Sequence, residues 1–126
     1  MNVLADFCQY INAKLPNVEA FAGWVNAATK YPCITFWLVD EQEQRANEAP
    51  WLATPIIQID CWSKKGVAES DDLAARVKTA IAGYGEPMAQ HGRRHFSETT
   101  SKGTVIYRTM LQYEIKNYLG VVEGSN

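Results

Sequence analysis

The stretch Thr54-Pro55-Ile56-Ile57-Gln58-Ile59-Asp60-Cys61-Trp62 decides the architecture. Ile57, Ile59 and Cys61 fall on one parity, and Gln58, Asp60 and Trp62 fall on the other. Successive residues of a strand point to opposite faces of a sheet, so this segment reads as a strand with its isoleucine face turned inward. Cys61, in line with the isoleucines, reads as a small core residue. Upstream, residues 31–40 are dominated by Cys33, Ile34, Thr35, Phe36, Trp37, Leu38 and Val39 and directly follow Pro32, which makes them a second strand. Downstream, residues 105–118 place Tyr107, Leu111, Tyr113 and Ile115 on one parity and Arg108, Gln112, Glu114 and Lys116 on the other. That is the pattern of a half-buried antiparallel strand. Residues 88–99 form a mixed polar strand, and Ser101, Lys102 and Gly103 turn it into the long one. Residues 20–26 are apolar without a firm period and are assigned a short strand.

Two helical patterns flank these strands. Leu4, Phe7, Cys8, Ile11 and Leu15 recur at helical spacing, with Asp6 early, Lys14 late and Pro16 as the stop. Between the strand at 54–62 and the polar one, residues 66–82 bring Leu73, Val77, Ala80 and Ile81 onto one face. Glu69, Asp71 and Asp72 precede Arg76 and Lys78, as the helix dipole favours, and Asp72 and Arg76 stand at pairing distance along the helix. Gly83 is expected to close the helix in a left-handed conformation. Helix, strands, helix, strands is the order of an α+β fold: a mainly antiparallel sheet with two helices packed on one face. With 126 residues, 47% of them hydrophobic, the chain can enclose one core and not two. We expect residues 1–119 to form a single α+β domain and residues 120–126 to be a flexible C-terminal tail.

The formal net charge of -2 supplies no basic field for sequence-independent nucleic-acid binding. Three dispersed cysteines, Cys8, Cys33 and Cys61, do not make a disulfide framework. The first fifteen residues lack a basic leader and the length of a membrane span, so folding in a reducing cytoplasm is the expectation.

The most enzyme-like cluster is His91-Gly92-Arg93-Arg94-His95. Two histidines four apart converge on a metal only in a helix, and Gly92 and the surrounding pattern argue for a strand or loop. Arg93, Arg94 and Lys102, with Lys64 and Lys65 if those turns lie nearby, could form a basic patch. The competing reading is a strand edge guarded by charge, favoured because no aromatic residues are interleaved with the arginines. There is no glycine-rich phosphate loop and no Ser/His/Asp constellation, so neither enzymatic activity nor a cofactor or metal is expected.

The tryptophans are more informative. Trp37 and Trp62 fall on the parity opposite the apolar faces of their strands, so both should emerge on the side of the sheet away from the helices. If nothing folds over them, they mark a protein interface. The polar decapeptide 41–50 carries Glu41, Glu43, Arg45 and Glu48 and reads as a long loop. We expect it to be mobile in a free subunit and to become ordered on assembly, so Trp37, Trp62 and these four charged residues are the candidate assembly interface.

Taken together, Tyr31-Pro32-Cys33-Ile34-Thr35-Phe36, the strand Ile57-Gln58-Ile59-Asp60-Cys61-Trp62-Ser63, a helix carrying Leu73, Val77 and Ile81, and Tyr107-Arg108-Thr109-Met110-Leu111-Gln112-Tyr113-Glu114-Ile115 form a recognisable series. Their order and spacing resemble the tail-completion, or tail-terminator, family of long-tailed bacteriophages, over roughly residues 3–117. The resemblance implies an α+β structural subunit with no cofactor. It implies self-assembly into a ring, commonly a hexamer, at the head-proximal end of the tail tube, where the ring halts tube growth and joins tail to head. The implied partners are further copies of the chain, the major tail tube protein and the head-completion or connector protein. The implied location is the virion tail and neck, after assembly in the host cytoplasm. Neck and other minor tail proteins share this pattern, and a cytosolic ligand-binding α+β domain is the alternative from another class. Residues 21–30 do not align with the family, so no partner-contact residue is carried over.

Overall fold

The computed structural model describes residues 3–26, 29–44, 52–84, 88–99 and 102–115; for 3, 40–44, 52–55, 88, 89 and 91 it describes the backbone course alone. Helix α1 (Val3–Lys14) is followed by strands β1 (Glu19–Ala22), β2 (Cys33–Gln44) and β3 (Leu52–Ser63). Helix α2 (Val67–Ala82) and strands β4 (Met88–Thr99) and β5 (Val105–Ile115) complete the regular structure among the described residues. The sheet order is β1-β2-β3-β5-β4, antiparallel throughout except for the parallel β1–β2 pair. The fold is α+β, as the hydrophobic patterning requires.

Both helices bury their apolar stripes on one face of this sheet. Leu4, Phe7 and Ile11 of α1 and Leu73, Ala74, Val77 and Ile81 of α2 meet Ile34, Phe36, Ile57, Ile59, Cys61, Leu111, Tyr113 and Ile115 in one core. These strand residues are the inward parity read from the sequence. The aromatic rings of Phe7, Phe36, Tyr10 and Tyr84 contact edge to face, with centroids 4.9–5.5 Å apart, a preferred arrangement for such pairs. Asp72 and Arg76 pair at 3.1 Å along α2.

Gly83 departs from expectation. Its φ is -97°, not left-handed, and its N–H turns back to Ala80. Space is tight there: the Tyr10 hydroxyl donates to the Ala80 carbonyl at 2.6 Å, and a Cβ at Gly83 would stand 3.1 Å from the Tyr10 hydroxyl oxygen, which would have to shift by a few tenths of an ångström. A close approach of Tyr10, and not a capping dihedral, is what a side chain would meet at Gly83.

The polar decapeptide is also corrected. Residues 41–44 continue β2, with Gln42 opposite Thr54, Glu43 opposite Ala53 and Gln44 opposite Leu52. Ladder pairing with β3 supplies partners for the backbone that a polar composition does not reveal. Arg45 and Glu48 lie outside the described residues, as does the segment 120–126. The short strand expected at 20–26 is found at Glu19–Ala22. It pairs parallel to β2, so the chain must return to the start of β2 before pairing, and Val25 and Tyr31 of this connection pack on the side away from the helices. Gly23, at φ 120°, donates to Phe36 O at 3.0 Å where the chain leaves the sheet.

Candidate functional site

That connection divides the helix-free face into a covered half and an open half. Cross-strand register aligns Cys33, Trp62, Arg108 and Phe96 in one row and Trp37, Gln58, Gln112 and Gly92 in another. Over the first row, Trp24 stacks edge to face on Trp62 with centroids 4.9 Å apart. Phe21, Val25 and Tyr31 pack against Cys33, Trp62 and Ile106 to form a second, smaller core. Trp62 therefore lies on the expected face but is fully buried, its Nε1 donating to Thr35 Oγ1 at 2.9 Å. The expectation that it reaches solvent is corrected. Parity placed the side chain, but it could not show that a parallel β1 sends the chain back over it.

Arg108 is the centre of this half. Its guanidinium carbon sits 4.3 Å from the Phe96 ring centroid, 5.1 Å from Trp24 and 5.3 Å from Trp62. Each such contact is worth about 0.5–2 kcal/mol, more where water is excluded. The guanidinium donates to Asp60 Oδ1 at 3.1 Å and to Glu98 Oε1 at 3.3 Å, while its Nε is buried without a partner among the described residues. Asp60 is buried and also accepts from Gln58 Nε2 at 3.0 Å; Gln58 in turn accepts from Gln112 at 3.3 Å. Burial pushes the Asp60 carboxyl above the ordinary carboxylate range, opposed by the Gln58 hydrogen bond and by Arg108. The arrangement is a rigid charged layer under aromatic cover.

The open half begins at the edge of that layer. Trp37 is 50% exposed, and Val39, Trp24 and Phe96 are also exposed on this side. Trp24, Trp37, Val39 and Gln58 line a concavity of about 280 Å³. Exposed aromatic and aliphatic groups beside a fixed polar network are the composition of a recognition surface.

The residues of the possible basic patch lie apart, and Arg93, Arg94 and His95 stand on the edge strand β4, as the favoured reading of a charged strand edge has it. Arg93 lies on the helix side, where it donates to Asp71 Oδ1 of α2, and His95 Nε2 meets the same oxygen at 2.7 Å. Arg94 lies on the other face, since neighbouring strand residues point opposite ways. Lys102 is in the β4–β5 turn, and Lys64 and Lys65 line a separate concavity with Thr29, Lys30, Tyr31 and Glu69. The His95 and Arg93 contacts hold the Asp71 carboxyl below its ordinary range. His91 and His95 occupy a strand, where residues four apart are separated by about 13 Å and do not converge on one ion. Among the described residues no three metal-ligating side chains come together. Burial pushes the Cys33 thiol up to about 12 and the Cys61 thiol higher, so both stay protonated. Among the described residues no helix is long and apolar enough to cross a membrane.

Glu41 and Glu43 belong to the distal part of β2. The residues that sequence reading missed are Asp60, Arg108, Trp24 and Phe96. Asp60 and Arg108 were visible as charged residues on the outward parity of strands with apolar inner faces, but their meeting depends on a register that pattern alone does not supply. A search of family models and of curated proteins finds no match to this chain.

Proposed function

We propose that this chain is a non-enzymatic assembly subunit of a phage tail, forming a ring with its own copies at the head-proximal end of the tail tube, where it ends tube growth and joins tail to head. The resemblance in the strand and helix series underlies this reading. The observation that carries it is the exposed group of Trp37, Val39, Trp24 and Phe96 on the one sheet face that the helices leave free. A rigid face with spare aromatic groups suits repeated docking, because large side chains already held in place lose little entropy on binding. A ring uses two different patches on each subunit, one for each neighbour.

The test is negative-stain microscopy of tail tubes from the matching phage, incubated with the protein and then offered filled heads. Capped tube ends and restored head joining are expected. Tubes that stay uncapped and do not bind the protein contradict the reading.

A further inference from the structure

The two sides of the sheet end differently, and their charges are opposite. Among the described residues, β4 has β5 as its one strand neighbour along its whole length, Met88–Thr99. At the other end, β1 covers β2 only at residues 33–36, so residues 37–44 also have a free outer edge among the described residues. Unpaired edges are templates for strand addition unless they are blocked. The sequence of β4 carries two arginines, Arg93 and Arg94, flanked by His91 and His95, and one acid, Glu98, whereas the distal part of β2 carries Asp40, Glu41 and Glu43 and no basic residue. Pairing β4 with β4 sets arginines against arginines, and pairing β2 with β2 sets acids against acids. Pairing β4 with β2 sets opposite charges together, which stabilises cross-strand neighbours where like charges destabilise them.

We infer that copies of this chain join head to tail, the β4 edge of one adding to the distal β2 edge of the next, with Arg94 and Phe96 brought beside Trp37 and Val39. This deepens the ring reading and rests on it. Strand direction agrees. Counting antiparallel steps from β2 through β3 and β5 to β4 gives β4 the direction opposite to β2. A neighbour displaced sideways in the same orientation therefore presents β4 antiparallel to β2, with the more favourable hydrogen-bond geometry. The contact uses two different edges, so repetition generates a ring where the rotation closes. The side chains fit as well. Arg93 is taken by Asp71, whereas Arg94 is exposed and makes no ion pair among the described residues. It lies on the same sheet face as half-exposed Trp37, the residue that would accept a guanidinium over its ring.

Sedimentation velocity across a concentration series, at low and moderate salt, tests this with Trp37→Lys and Arg94→Glu. Both positions are exposed, and circular dichroism checks that each variant folds. Trp37→Lys sets a lysine against Arg94, and Arg94→Glu sets a glutamate against an acidic strand, so each alone should weaken association about tenfold or more. Their equimolar mixture should restore it, because one joint is then native and the other pairs Lys with Glu. Variants that associate like the parent protein, or a mixture no better than its parts, overturn this joint while the ring reading stands. Parent protein that fails to associate either free or on tail tubes contradicts the ring reading itself.

Discussion

The two faces of the sheet are built from the same strands and solve different problems. On the helix side, Phe7, Ile11, Phe36, Ile57, Ile59, Val77 and Leu111 are fully buried and apolar. On the other side Trp24, Val25 and Tyr31 cover part of the face around a buried Asp60–Arg108 pair, and Trp37 and Val39 are exposed. Burial of hydrocarbon is stabilising in proportion to area, whereas a buried ion pair roughly breaks even against the cost of dehydrating it. The helix face therefore supplies most of the stability. The opposite face supplies a fixed surface.

Substitutions should separate the two roles. The largest loss is expected at Ile59, at the centre of the helix-side core, where Ile59→Ala should cost about 2–5 kcal/mol in urea unfolding through the lost methyl groups and the cavity left behind. A loss below about 1 kcal/mol would mean that the helices are loosely seated. Next, Arg108→Ala leaves Asp60 buried without its counter-charge and should cost about 3 kcal/mol near neutral pH. The sign of its pH dependence is diagnostic. A carboxyl whose folded pKa is raised binds its proton more readily in the folded state, so stability rises as pH falls through that raised value toward the ordinary range. Removing Arg108 strengthens this effect, so the deficit of Arg108→Ala should shrink on mild acidification. A deficit that does not depend on pH would show that lost aromatic packing, and not the orphaned charge, is responsible.

A smaller effect is expected on the helix side at Asp71, with the opposite sign. Its lowered pKa contributes stability that is present above the ordinary carboxylate range and is lost as pH falls through the depressed folded value. Asp71→Asn should flatten this acid limb of the stability curve. The effect is modest because the pair is partly exposed and screened by solvent. An unchanged acid limb would mean that α2 and β4 are held together by packing alone.

Much of the helix face was legible in the sequence, because a parity of two in Ile57, Ile59 and Cys61 and a helical spacing in Leu73, Val77 and Ile81 each state one face directly. Trp37 was legible for the same reason. Trp62 was not, since its burial depends on β1 pairing parallel to β2, a long-range choice that leaves no local pattern. The run 93–94 was legible as a charged strand edge, but not the different fates of its two arginines. Adjacent strand residues diverge, and one arginine of the pair went to a carboxylate on α2. Gly83 was identified as special but for a different physical reason, because a close contact with Tyr10 comes from a helix packed beside it and not from its own turn.

The most direct test of the division between the faces is to measure the urea midpoint and the association of Trp37→Lys on the same preparation. A midpoint shifted by no more than about 0.5 kcal/mol of stability, together with clearly weakened self-association, is expected for an exposed contact residue. A lower midpoint that accounts for the loss of association would make Trp37 part of the folded core and contradict the account.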